Sequence, residues 1–130
     1  MKHLIFALFS SIIFTSFSQS PRAVVQQQLD AYNAGDIESF MDVFSAEIEL
    51  WTLGDSIPSV SGFKNVLKVY ANLFEESPNL HSEVLNRTIL GNKVIDYEKI
   101  TGRNNGAVLF LIMIYEVQNG KIVRATAVRE

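Results

Sequence analysis

Apolar residues in the first half of the chain recur at helical spacing. Val25, Leu29 and Tyr32 fall on one face, while Gln26, Gln27 and Gln28 turn elsewhere. Ser20-Pro21 in front supplies an N-cap and a first-turn proline, and Gly35 suits the C-terminal cap. Asp36 then caps a second, shorter helix with the stripe Ile37, Phe40, Met41 and Phe44. Glu47 to Leu53 alternates and reads as a strand, and Gly54, Asp55, Pro58 and Ser59 mark an irregular connection. Ser61 is the expected cap of a third helix. Its stripe is Phe63, Val66, Leu67, Tyr70, Leu73 and Phe74, and Ser77-Pro78 stops it.

From Leu80 onward the period changes to that of strands. Gly91-Asn92 predicts a tight hairpin, because glycine tolerates positive φ and asparagine nearly does. Asn104-Asn105-Gly106 is a second turn, and Asn119-Gly120 a further hairpin before a last strand over Lys121 to Arg129. Ala107 to Val117 is apolar on both faces, as expected of a strand covered on both sides. Two helices, a strand, a helix and four strands predict an α+β domain. Its mostly antiparallel sheet curves around the N-terminal helices and leaves a cavity at one end of the cone.

The chemistry gathers on the first hairpin. With the turn at Gly91-Asn92, Arg87 stands opposite Asp96, and Glu98 projects from the same face. An unbroken strand from Leu80 adds His81, Glu83 and Leu85 to that face. Carboxylates two apart on a strand lie roughly 7 Å apart. Burial and mutual repulsion then leave Asp96 paired to the arginine and Glu98 able to accept or give a proton, so both are candidate catalytic residues. The plainer reading is an exposed Arg87–Asp96 pair worth ~0.2–1 kcal/mol. Lys93 and Lys99 on the other face mark that face as the solvent side. Arg87, His81, Tyr115 and Trp51 are the candidate ligand-binding residues. Asn119-Gly120 as turn sets Tyr115 opposite Arg124. Trp51 suits a cavity mouth, a dimer interface or the core.

Composition narrows the setting. The 130 residues are 48% hydrophobic, enough for one domain with an ordinary core. Lys2 followed by the mostly apolar Leu4 to Phe17, with Ser16-Phe17-Ser18 behind, reads as an export leader over residues 1–18 cleaved after Ser18. The run is shorter than the ~20 residues needed to span a bilayer, so no membrane association is expected after cleavage. Losing Lys2 leaves 10 basic residues against 14 acidic ones, 10 − 14 = −4, and His81 as the single histidine. An exported acidic domain without a basic run is a poor nucleic-acid binder. The chain has no cysteine, which excludes disulfides, thiolate metal sites and cysteine nucleophiles. No spacing of His81 with carboxylates is diagnostic of a metal site, and none is expected.

Ala31-Tyr32-Asn33-Ala34-Gly35-Asp36 with Phe40 to Phe44, Asn86-Arg87 through Glu98, and Ile114-Tyr115-Glu116-Val117 before Asn119-Gly120-Lys121-Ile122 together resemble the nuclear transport factor two-like superfamily, in its SnoaL-like and ketosteroid-isomerase-like branch. The resemblance spans Pro21 to Val128 and implies the cystatin-like α+β barrel. That scaffold hosts isomerases, cyclases, dehydratases, binding modules and immunity proteins. Steroid isomerases place a tyrosine, an aspartate base and a protonated aspartate at positions that fall here on Gln28, Thr52 and near Met113. None keeps that chemistry, so steroid isomerisation by that mechanism is not expected. An exported protein also never meets nuclear import factors.

Three readings remain open on sequence. The first is an exported domain binding a small, partly apolar molecule in its cavity. The second is a cofactor-free isomerase, cyclase or dehydratase with Glu98 as general base, assisted by Asp96. The third is an interaction module, with the apolar Ala107–Val117 strand favouring a homodimer.

Overall fold

The computed structural model describes residues 11–13 and 19–130. The expected leader therefore lies, apart from residues 11–13, outside the described residues. The elements are α1 (Pro21–Ala34), α2 (Ile37–Met41), β1 (Phe44–Thr52), β2 (Val60–Ser61), α3 (Phe63–Glu76), β3 (His81–Leu90), β4 (Lys93–Thr101), β5 (Leu109–Gln118) and β6 (Lys121–Val128). Six strands form one sheet in the order β2-β1-β6-β5-β4-β3, antiparallel except where β1 runs parallel to β6. The helices pack on one face, and the α+β architecture matches the sequence expectation.

Local signals explain most boundaries. The Ser20 side chain accepts from Ala23 N at the start of α1, and Gly35 closes it in the left-handed region at φ 66°. Asp36 accepts from Ser39 N at the start of α2. The third helix departs from expectation. Its N-cap is Gly62 with no side-chain cap bond, because Ser61 is drawn into the short β2 ladder opposite Glu49. Asn119 and Gly120 both take positive φ, the signature of a primed hairpin turn.

Two bulges shape the sheet. In β3, Val84 pairs with Glu98 but Asn86 with Tyr97, so Leu85 is an extra residue. In β6, Ile122 pairs with Val117 but Arg124 with Glu116, so Val123 is extra. A bulge bends and twists its strand, and it flips the alternation on either side.

The core lies between the helices and the concave face. Phe40, Ile48, Val66, Val94 and Ile122 are fully buried there. An aromatic cluster of Tyr32, Phe40, Phe44, Tyr70 and Phe74 fills the helical side, with ring centroids 4.5 to 6.2 Å apart. On the concave face β6 presents Ala125 and Ala127 beside Leu111 and Met113 of β5. Two alanines facing large residues leave volume that the helices do not fill. No described residue covers the convex face, where Tyr97, Phe110 and Ile112 are exposed. Among the described residues the central strand β5 is therefore covered on one side, not both, since each described helix sits on the concave side.

Candidate functional site

The unfilled volume is a cavity of ≈ 430 Å³ between α1, α3 and the concave sheet. That is the size of an ordinary small-molecule site. Its walls are mainly apolar, with Leu29, Leu50, Leu73, Ile100, Leu111 and Met113 contributing, and a few polar groups converge on it.

Glu98 is the carboxylate set into the sheet wall of this cavity. Strand alternation turns Val94, Asp96, Glu98 and Ile100 inward from β4, and all four are buried. Asp96 and Glu98 nevertheless meet different partners. Arg87 stands directly opposite Asp96 and donates twice to it, Nε to Oδ1 at 2.7 Å and Nη2 to Oδ2 at 2.9 Å. The third arm of the guanidinium, Nη1, donates to Gln26 Oε1 at 2.9 Å, and Gln26 Nε2 donates to Asp30 at 2.8 Å. Asp96 is 0% exposed, and neither it nor Arg87 lines the cavity. Their place is behind the wall.

Among the described residues Glu98 has one hydrogen bond, accepted from the Tyr115 hydroxyl at 3.3 Å. Burial raises its pKa from 4.5 to about 7, with the Asp96 charge adding to the shift; the Tyr115 bond and Arg87 oppose it. The group is thus poised to exchange protons near neutrality. Tyr115 itself is pushed well above its ordinary value by burial and then by the Glu98 charge. Two further tyrosines line the cavity. Tyr70 is pushed up to about 12, first by burial and then by Glu98. Tyr32 is raised by burial, then by Tyr70 and Glu98. Both remain protonated donors at neutral pH.

The register places the other candidates differently. The Leu85 bulge turns His81 and Glu83 outward and brings Ser82 inward, where it is buried and lines the cavity. His81 is therefore excluded from the site, because β3 does not keep one phase. Trp51 borders the cavity, but its ring stacks on the Arg124 guanidinium at 4.6 Å. Arg124 in turn lies opposite Glu116 rather than Tyr115, because Val123 is extra; it approaches Glu49 at 3.5 Å and Glu116 at 3.7 Å. Ala125 faces Tyr115 instead. Gln28, Thr52 and Met113, the positions the sequence resemblance matches to the acid–base groups of steroid isomerases, all line the cavity. Glu98, Tyr32 and Tyr70 line the same cavity.

Sequence reasoning does not find Ser82, Tyr32, Tyr70, Arg103 or Arg129. The tyrosines read as core stripe residues, since a helical stripe does not reveal whether its far end meets a cavity. For Ser82 a signal existed. His81 and Glu83 are ionisable while Ser82 and Val84 are not, which favours the opposite phase at the start of β3. Among the described residues, no three histidine or carboxylate side chains gather into a metal-holding group. No described helix is long and apolar enough to cross a membrane.

Comparison with known proteins agrees with this architecture. A cystatin-fold protein from Novosphingobium aromaticivorans superposes with a TM-score of 0.76 at 18% identity, covering 86% of this chain and 100% of its own. A candidate polyketide cyclase from Sinorhizobium meliloti gives 0.69 at 19% identity, over 81% of this chain and 93% of its own. A candidate ketosteroid isomerase from Kribbella flavida gives 0.70 at 18%, over 85% and 77%. At these identities the likeness shows the fold. No protein with a curated description matches the sequence. The model of the SnoaL-like domain matches residues 25–125, from the first helix to the cavity-facing Ala125. The chain belongs to the SnoaL-like domain family.

Proposed function

We propose that the protein is a cofactor-free acid–base enzyme of the isomerase, cyclase or dehydratase kind. It acts on a small, partly apolar molecule in the cavity, with Glu98 as general base. One observation carries this reading: of the two buried carboxylates on β4, Glu98 alone lines the cavity. The names of a cyclase and an isomerase among the structural neighbours fit the same reaction class.

The chemistry follows from the groups present. An ionised Glu98 removes a proton from a carbon beside a carbonyl. The C–H electron pair passes into the carbonyl and generates an enolate. Tyr32 and Tyr70, held protonated by burial, supply donors for the developing oxyanion. Where the enolate is conjugated with a C=C bond, Glu98 returns the proton to the far carbon of the dienolate; otherwise the enolate carbon closes a ring onto a second carbonyl, whose π pair moves to its oxygen and takes the proton from Glu98. Asp96 and Arg87 do not touch the substrate; the Asp96 charge helps to keep Glu98 basic.

Isotope exchange tests the reading. The full chain in D2O is incubated with a panel of neutral apolar ketones, and loss of the α-proton signal is followed by NMR. Exchange above buffer is expected, with Glu98→Gln slowing it by about a hundredfold to ten-thousandfold. Bound ketones that exchange no faster than in buffer, or equal exchange by Glu98→Gln, would overturn it.

A further inference from the structure

Two buried side chains in the cavity wall have polar atoms that the protein does not answer. Gln28 Oε1 and Ser82 Oγ are sealed from solvent and have no hydrogen-bond partner among the described residues. The residues are only 6% and 4% exposed, and both line the cavity. Native structures rarely leave such groups unpaired, because each gave up its water on folding. Neither side chain holds the fold together. The β3 backbone at Ser82 is tied to α1 by Asn33, whose Oδ1 accepts from Ser82 N at 2.7 Å and whose Nδ2 donates to Ser82 O at 3.0 Å. The Ser82 hydroxyl takes no part in that tie.

The same cavity carries two cations. Arg103 follows Gly102, where a Cβ would lie 1.9 Å from the Asn79 carbonyl oxygen, so the chain passes tight against Asn79 as it reaches Arg103. Arg129 follows β6 directly. Both arginines line the cavity, Arg103 half-buried and Arg129 exposed, and neither makes an ion pair among the described residues. Glu76 and Glu98 are the acidic lining residues. With Glu98 protonated, the walls hold two guanidinium groups against one carboxylate. A cavity-lining guanidinium without a carboxylate of its own suits an anion from outside the chain.

We propose that the ligand is an amphiphilic hydroxy acid, its apolar body in the cavity, its carboxylate on Arg103 and Arg129, and its hydroxyl on Gln28 Oε1 and Ser82 Oγ. This rests on the cavity being the ligand site and names the ligand's class. A hydroxyl can donate to the Gln28 carbonyl oxygen and accept from the Ser82 hydroxyl, the two roles these atoms leave open.

Calorimetric titration of the full chain with three matched probes tests this: 12-hydroxydodecanoic acid, dodecanoic acid and 1,12-dodecanediol. The hydroxy acid is expected to bind roughly tenfold more tightly than either of the others, the scale of one well-made buried hydrogen bond or ion contact. Gln28→Met with Ser82→Ala should erase its advantage over dodecanoic acid and leave its advantage over the diol. Arg103→Gln with Arg129→Gln should do the reverse. Equal affinities in the wild-type protein, or no binding of any probe, would overturn the proposal without reference to a variant. So would preferences that survive in both variants. The role of Glu98 is judged separately, by exchange on neutral ketones that lack both polar ends. Exchange without an acid preference sinks the ligand class alone; an acid preference without exchange sinks the chemistry alone.

Discussion

Asp96 and Glu98 stand two residues apart on one strand, point the same way and are both buried, yet the molecule treats them as opposites. Around Asp96 both carboxylate oxygens have a partner. Both its oxygens accept from Arg87, and the remaining arm of Arg87 is passed to Gln26 and on to Asp30. Around Glu98 the described residues offer one hydrogen bond at 3.3 Å, and elsewhere in the cavity wall Gln28 Oε1 and Ser82 Oγ have none among them. One region is closed electrostatically and serves the fold. The other leaves charge and polarity unanswered, at a cost to stability, and on that arrangement the proposed function rests. What separates them is the partner across the sheet: β3 sets Arg87 opposite Asp96, but after the Leu85 bulge sets Val84 opposite Glu98.

The largest effect expected from breaking this contrast comes at the closed region. Arg87→Met leaves a fully buried Asp96 without its partner and should cost about 3–5 kcal/mol in urea unfolding. A loss below about 1 kcal/mol would show that the pair behaves as an exposed one.

At the open region the sign reverses. Glu98 has a folded pKa of about 7, above the ordinary 4.5, so the folded state holds its proton where the unfolded state has released it. Stability is therefore least penalised below pH 4.5, falls as pH rises toward 7, and carries the full penalty above that. The drop should be a few kcal/mol, since each tenfold change in proton affinity is worth about 1.4 kcal/mol. Glu98→Gln should remove this slope and be the more stable protein at pH 8, while matching wild type near pH 4. Parallel pH profiles for the two would place Glu98 in water, like any surface carboxylate.

The smallest expected effect sharpens the contrast most. Gln28→Met replaces an unanswered amide by an apolar chain of similar length. It should leave the melting temperature unchanged or raise it, by no more than about 1 kcal/mol in stability. Substantial destabilisation would mean that the amide has a structural partner, and the distinction between the two regions would fail at that residue.

Much of this was legible in the chain. Helical spacing, the caps at Ser20, Gly35 and Asp36, and the turns at Gly91-Asn92 and Asn119-Gly120 depend on residues within a few positions of one another. Such short-range rules set the α+β order and the facing of Arg87 and Asp96 across their hairpin, because counting back from a two-residue turn fixes register. The pairing failed to carry to His81 and Arg124 because one extra residue, Leu85 or Val123, inverts every side chain beyond it. In β6 nothing in the strand's own alternation announces the insertion; in β3 its trace is the ionisable His81 and Glu83 on either side of Ser82.

By itself, then, the sequence determined the elements other than the short β2, their order and the inward face of β4 near its turn. Tertiary structure alone decided which inward residues meet a neighbour and which meet empty space. Whether Tyr70 is core or cavity, and whether Gln28 and Ser82 are paired, depends on how far α1 and α3 stand from a sheet lined there by Ala125 and Ala127. That separation is set jointly by side chains from several elements, and volume left over by distant residues has no local pattern to announce it.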